Sequence, residues 1–320
     1  MKKYKKRYLN VLSVNSLILI LAIVFLTIGF DIQKKYDFMG QLITEVFIIL
    51  LPALFIAKTG NIRKVLRVHK ISFKNIFLTV LIVILAYPII LLLNGIFMSL
   101  ISSFMDFTNS SRDLIDMDPN IYNYIIFFCI VPAICEEVLF RATVINAYDI
   151  YGTKFAIGMS ALVFALFHFD IQNFVAPLLL GILFGNILKL TDSLYAAIIA
   201  HFTNNIIAVI FSRYINERFS KMLWQTEMAR QIGSLQLFIV IILIVLSILC
   251  SLILRLLFKH LKKEQMREER NITAYREVEG IDIFNFVPIL ALVILYIIYY
   301  SIVFKWNWRI LWKKLKKQQI

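Results

Sequence analysis

The chain has 320 residues, of which 60% are hydrophobic, and a mean hydropathy of +0.80. Soluble domains are about 45–50% apolar, so the composition excludes an ordinary soluble protein and points to a polytopic membrane protein. The net charge of +14 is gathered in three acid-free stretches, with five cations in residues 1–10, six in Lys58–Lys74 and six in Lys305–Lys317.

Basic runs abutting apolar runs read as topology signals and lipid-headgroup contacts. A nucleic-acid face would need a basic patch on a folded soluble domain, and none is visible, so nucleic acid is not among the expected partners. The three cysteines, Cys129, Cys135 and Cys250, lie in apolar runs without CxxC or Cys/His spacing. They read as small packing residues, not as a disulfide framework or a thiolate zinc site.

MKKYKKRYLN leads into the apolar run Val11–Phe30. That run is longer than a signal-peptide core and lacks a small-residue cleavage site, so it reads as an uncleaved first helix with its N-terminus in the cytoplasm. Asp31–Asp37 is expected to be a short loop. Phe38–Ala57 is a second helix, containing Glu45 and Pro52, and Glu45 is expected to face the interface or water. Lys58–Lys74 is expected to be cytoplasmic. Ile76–Phe104 is long enough for one helix, tilted or kinked at Pro88. Asp106–Asn120, with four Asp and one Arg, is expected to face outward.

Tyr122–Tyr148 is the helix around which the rest is organised. Phe155–Phe169 and Phe174–Leu190 follow, then Leu194–Phe211, the mixed loop Ser212–Ser234, the span Leu235–Phe258, the charged segment Lys259–Glu279 and the last span Ile281–Phe304. Fifteen residues make a helix of about 22 Å, short of a bilayer core of about 30 Å. Phe155–Phe169 is therefore the first candidate for a run that does not cross. Nine runs with a cytoplasmic N-terminus would leave the C-terminus outside, against its basic tail, so about eight spans are expected. In the tail, Trp308, Leu311, Trp312 and Leu315 form an apolar stripe opposite lysines, as in an interfacial anchor. The expected organisation is an all-α polytopic membrane protein. Its parts are N-terminal helices over 1–120, a four-helix core over 121–213 and C-terminal helices over 214–320.

Within Tyr122–Tyr148, Glu136 and Glu137 adjoin each other and Arg141 follows, inside an otherwise apolar run. Ionisable groups at membrane depth are costly and usually mark function. Glu137 and Arg141, four apart, share a helix face and can pair. Glu136 points about 100° away and is left without the arginine, placed to act as a general base. Pro132, one turn earlier, frees a backbone carbonyl nearby.

Two further motifs follow. Phe164 and His168 are four apart in FALFH, and His201 and Asn205 are four apart in HFTNN; Asn204 lies on nearly the same face, so the choice of Asn205 rests on spacing. The other histidines, His69 and His260, lie in basic segments. Singly, each motif has a plain structural reading, as a neutralised packing pair or as polar glue between helices. Together a carboxylate, two imidazoles and a carboxamide are the parts of a hydrolytic site.

EExxxR, FxxxH and HxxxN, in this order in membrane runs, resemble the CPBP family, which includes type II CAAX prenyl endopeptidases and the bacteriocin-processing and self-immunity (Abi) proteins. The resemblance covers about residues 120–213. It implies an intramembrane endopeptidase acting on a membrane-associated peptide or protein. By similarity, Glu136 activates water with help from His168, while His201 and Asn205 donate to the oxyanion. Glu137, Arg141 and Phe164 support the site. No cofactor is favoured.

The alternatives are a zinc protease using Glu136, His168 and His201, since two His and one carboxylate form a known catalytic ligand set, and a non-catalytic immunity or regulatory protein. A transporter would require repeated halves and a polar path, and neither is seen. Residue usage rich in Lys, Ile and Asn leans towards a bacterial plasma membrane.

Overall fold

The computed structural model describes residues 8–102, 120–212, 232–269 and 280–318. All secondary structure among them is helical. The protein is an all-α polytopic membrane protein, with long apolar helical stretches at Val11–Ala57, Phe73–Ile101, Val240–Lys262 and Ile283–Ile302. Leu249, Leu252 and Leu256 on the third of these are exposed. In a bilayer, such outward apolar side chains meet lipid and need no protein partner.

Val11–Ala57 begins with α1 (Val11–Val24), π-helical turns at Phe25–Gly29 and α2 (Phe30–Ile43). It continues through a second π-helical stretch, Thr44–Leu50, and α3 (Leu51–Ala57). It is not one rod. Asp37 has φ 46° and ψ −121°, and there the chain turns back on itself. Gln33 Nε2 donates to Gln41 Oε1 and to Thr44 Oγ1, both at 2.8 Å. Residues eleven apart along a straight helix would be about 16 Å apart, so these contacts require a hairpin. A Cβ on Gly40 would lie 2.4 Å from the Ile32 carbonyl oxygen, so the reversal depends on glycine there. The expected two helices are present. The expected loop is not: Asp31–Tyr36 is helical, and the break is confined to Asp37.

The short α4 (Ile62–Leu66) precedes α5 (Phe73–Ser102), which runs through Pro88. Tyr122–Tyr148 is a composite helix. It comprises α6 (Ile121–Tyr124), π-helical turns at Ile125–Ile130, α7 (Val131–Glu136), π-helical turns at Glu137–Val144 and α8 (Ile145–Tyr148). A tight turn ending at Gly152 (φ 98°) leads into α9 (Thr153–Phe167), followed by α10 (Val175–Thr191) and α11 (Leu194–Ile210). The C-terminal helices are α12 (Ile232–Glu269) and α13 (Val287–Gln318). The basic lead 1–7, nearly all of the acidic segment Asp106–Asn120, most of Ser212–Ser234, residues 270–279 and the tail's side chains lie outside the described residues.

Two apolar cores form. One joins α1, the Glu-pair helix, α9 and α13, and the other joins α5, α10, α11 and α12. The crossing of α9 and α10 is close because Gly181 has no side chain: a Cβ there would sit 2.6 Å from the Ala161 Cα. Small residues permit such approach between membrane helices. Ser160 Oγ donates to the Phe140 carbonyl at 2.8 Å and ties α9 to the Glu-pair helix.

One end of the bundle is fastened by ions. The buried Asp149 carboxylate receives Arg67 at 2.9 Å and Lys189 at 2.5 Å, and Arg67 also reaches Asp192 at 2.6 Å. The basic segment Lys58–Lys74 is thus tied to the ends of α8 and α10.

Candidate active site

The site lies at the seam of the two cores. Glu137 and Arg141 are fully buried, with Arg141 Nε 3.1 Å from Glu137 Oε2. The pairing read from their spacing is present. Its angle falls outside hydrogen-bond geometry, and the remaining guanidinium nitrogens have no hydrogen-bond partner among the described residues. Aromatic faces surround the cation instead. Its central carbon lies 4.2 Å from the Phe164 ring centroid, 5.3 Å from that of Phe184 and 5.9 Å from that of Phe140. A desolvated contact of this kind contributes about 2 kcal/mol. Phe164 comes from α9 and Phe184 from α10, so Arg141 joins three helices through their rings.

His201 extends this arrangement. Its Nδ1 lies 2.9 Å from Glu137 Oε1. A carboxylate accepts, so Nδ1–H donates. The Nε2 side faces Glu136, at 3.8 Å from Oε2. Phe184 stacks on the imidazole with ring centroids 5.3 Å apart. Because Nδ1–H is committed to Glu137, Nε2 donates only when the ring carries both protons.

Glu136 is the accessible member of the pair, its side chain 14% exposed while that of Glu137 is 0% exposed. Its partner in the hydrolytic reading, His168, caps the end of α9 and is exposed. Glu136 and His168 are each sixteen residues from Gly152. The helical hairpin pivoting there brings them to similar depth, although α9 is short. Phe140 packs on Phe164 and Phe167 across the hairpin, with centroids 5.1 and 5.7 Å apart.

His168 Nδ1 lies 2.7 Å from the Phe164 carbonyl oxygen. A carbonyl only accepts, so Nδ1–H donates, and in the neutral ring it is Nε2 that carries the lone pair a base requires. His168 and Glu136 share no hydrogen bond among the described residues.

Asn205 Nδ2 donates to the Phe128 carbonyl at 3.0 Å, and Asn204 Nδ2 donates to Asn205 Oδ1 at 3.1 Å. Phe128 lies one helical turn before Pro132, which has no N–H to give it. Asn205 takes up this freed carbonyl, and its amide keeps a second N–H for another acceptor.

The three zinc candidates, Glu136, His168 and His201, do not form a ligand set. Among the described residues no three His, Cys, Asp or Glu side chains converge closely enough to hold a metal ion.

Residues 118–207 match the family model described as type II CAAX prenyl endopeptidase Rce1-like. Over this stretch the chain is similar to the type II CAAX prenyl endopeptidases. The matched stretch contains all three motifs and covers rather more than a quarter of the chain. No curated protein and no solved structure matches. The match supports a protease, and the apolar helices support a multi-pass membrane protein.

Around the matched stretch, the structure corrects one expectation and adds three residues. Glu45 faces neither the interface nor water. It is 3% exposed, inside the N-terminal hairpin. The high cost of an intramembrane carboxylate was the signal for it. Phe184 stacks on both Arg141 and His201, and no sequence feature distinguishes it from other apolar residues of its run. Asp149 and Lys189 form their buried pair across forty residues, beyond the reach of helical spacing.

Proposed function

We propose that the protein is a metal-free intramembrane endopeptidase in which Glu136 activates water. The observation that carries this reading is the position of Glu136. It is the accessible carboxylate beside a buried Glu137–Arg141–His201 cluster, inside a stretch that matches an endopeptidase family.

Water approaches between Glu136 and His168. Glu136 takes one of its protons as the oxygen bonds to the peptide carbonyl carbon, and His168 Nε2 accepts a hydrogen bond from the other. The carbonyl electron pair moves onto oxygen. Nε2–H of a doubly protonated His201 and the second N–H of Asn205 stabilise that oxyanion, and such donors typically contribute about 10²–10³ in rate each. The tetrahedral intermediate then collapses, the C–N bond breaks, and Glu136 returns its proton to the leaving amine. Glu137 orients His201, and Arg141 holds Glu137 in place. This sequence needs no metal.

The substrate is a peptide or protein that reaches the site from the membrane. A bacterial plasma membrane with the N-terminus inside fits the basic runs. A peptide leader or a small membrane protein would then be the target, and a prenylated CAAX tail is the target named by the family description.

The test is cleavage by purified protein in liposomes. The probes are an internally quenched farnesylated CAAX peptide and a quenched hydrophobic leader-type peptide. Wild type is compared with Glu136→Ala and His168→Ala, with and without chelator. Cleavage lost in both variants and indifferent to chelator supports the proposal. Cleavage abolished by chelator and restored by zinc moves the chemistry to a metal. If neither probe is cut and Glu136→Ala keeps the cellular role, the protein is a binding or immunity protein.

A further inference from the structure

Asn204 immediately precedes Asn205, which the proposed function gives to the oxyanion. Its side chain is buried, 9% exposed. Both belong to α11, which packs against the π-helical turns Ile125–Ile130 that hold Phe128. Three groups form a chain there. A carbonyl only accepts, so the atom that Asn205 presents to the Phe128 oxygen at 3.0 Å is its Nδ2. Its Oδ1 is thereby left to Asn204, whose Nδ2 donates to it at 3.1 Å.

The acceptor end of this chain is held firmly. The Phe128 ring stacks on Tyr124 and meets Phe38 of the N-terminal hairpin edge-on, with centroids 5.9 and 5.8 Å apart. The other end decides how well Asn205 is aimed. The last torsion of an asparagine side chain is broad, so an amide held at Nδ2 alone still rocks about that single bond. Held at Oδ1 as well, its plane is fixed, and with it the direction of the second N–H. Neighbours on a helix point about 100° apart and do not face each other. The contact is therefore no by-product of adjacency, since both side chains must turn to make it.

We propose that Asn204 is a positioning residue: its Nδ2–H holds Asn205 Oδ1 so that the second N–H of Asn205 is aimed at the carbonyl oxygen of the substrate. The oxyanion exists only past the ground state, so losing this alignment lowers kcat and leaves KM. The role rests on the proposed function of Asn205. The hydrogen-bond chain does not.

The probes are the two quenched peptides, with full-length protein in liposomes. Asn204→Leu keeps the shape of the side chain and removes the donor. It should lower kcat about tenfold, the upper end for one ordinary hydrogen bond and less than the loss of an oxyanion donor outright, with KM changed less than about twofold. Asn204→Gln keeps a carboxamide and should recover about half of the wild-type kcat or more. In an Asn205→Ala background, Asn204→Leu should add less than about a twofold loss. An undiminished kcat in Asn204→Leu overturns the positioning role. So does an Asn204→Gln variant as slow as Asn204→Leu, and so does a full further loss in the Asn205→Ala background, which would make Asn204 act on its own.

Thermal melting of the same proteins in detergent tests the chain without any cleavage. Asn204→Leu and Asn205→Ala should each lower the melting temperature, and the double variant should fall by less than their sum, because either change breaks the same bond. Additive losses overturn the chain. Should Asn204→Leu not fold, Asn204→Ala takes its place with the same expectations. If wild type cuts neither peptide while melting shows the coupling, the function reading and the positioning role fail together, and the chain stands.

Discussion

Asn205 hydrogen-bonds to the Phe128 carbonyl, the backbone acceptor that Pro132 leaves without a helical donor. The proline therefore does more than interrupt a helix. It creates an acceptor that fixes a carboxamide contributed by α11. Pro132→Ala restores the missing N–H and lets the helix bond to Phe128 itself. The expected outcome is a melting temperature in detergent equal to or above wild type, with slower peptide cleavage because Asn205 is released. Asn205→Ala should slow cleavage about 10²–10³-fold as an oxyanion donor. Stopped assays on the quenched peptide measure both.

Arg141 has no route to solvent, and its removal leaves the Glu137 carboxylate buried without its cation. Breaking such a pair typically costs about 3–5 kcal/mol. Arg141→Ala should therefore lower thermal stability in detergent sharply. Arg141→Lys keeps the charge but loses the planar group lying over Phe164 and Phe184, and should give an intermediate melting temperature.

Tyr300 clamps the turn that follows His168. Its hydroxyl donates to the Phe169 carbonyl at 2.7 Å and accepts from the Ile171 N–H at 2.5 Å. Phe169 has φ 47°, a left-handed conformation that a bulky residue adopts only when held there. Tyr300→Phe should slow cleavage about tenfold, the net effect of hydrogen bonds of ordinary strength. In a His168→Ala background it should add little further loss. A full additional loss in the double variant would place its effect on the whole fold rather than on His168.

Gly181 permits the close crossing of α9 and α10. Gly181→Val puts a branched side chain against the Ala161 backbone and must push the helices apart. Overpacking of this kind costs about 1–3 kcal/mol. Activity should fall along with stability, since α9 carries Phe164 and α10 carries Phe184. Thermal melting and peptide cleavage on the same preparation check this.

The sequence makes the membrane class, the helix inventory and the Glu137–Arg141 pair legible because they depend on local rules. Apolar run length marks spans, and four-residue spacing marks a shared helix face. Pro132 likewise announces a free carbonyl. The identity of its acceptor's partner is not local, since Asn205 lies seventy-seven residues away. The burial of Glu45 and the stacking of Phe184 are hidden for the same reason. Their neighbours are set by how hairpins dock, and no spacing along the chain records that. The Asp31–Asp37 segment misleads because its charges look like a loop, although six of its residues continue the helix.

The fastening of Asp149 by Arg67 and Lys189 bears on how the molecule can be divided. Arg67 belongs to the N-terminal part and Asp149 to the matched stretch. Leu9 and Asn15 also reach that stretch, at Asn146 and Tyr148, as Asn285 does at Tyr151. Residues 118–207 mark where ancestry is recognisable, not where a self-sufficient folding unit ends. Cut out alone, they would carry a buried acid without one of its cations and polar side chains facing missing neighbours. Inherited chemistry and structural autonomy thus have different borders in this chain, and transplanting its site into another scaffold would mean moving the outer helices with it.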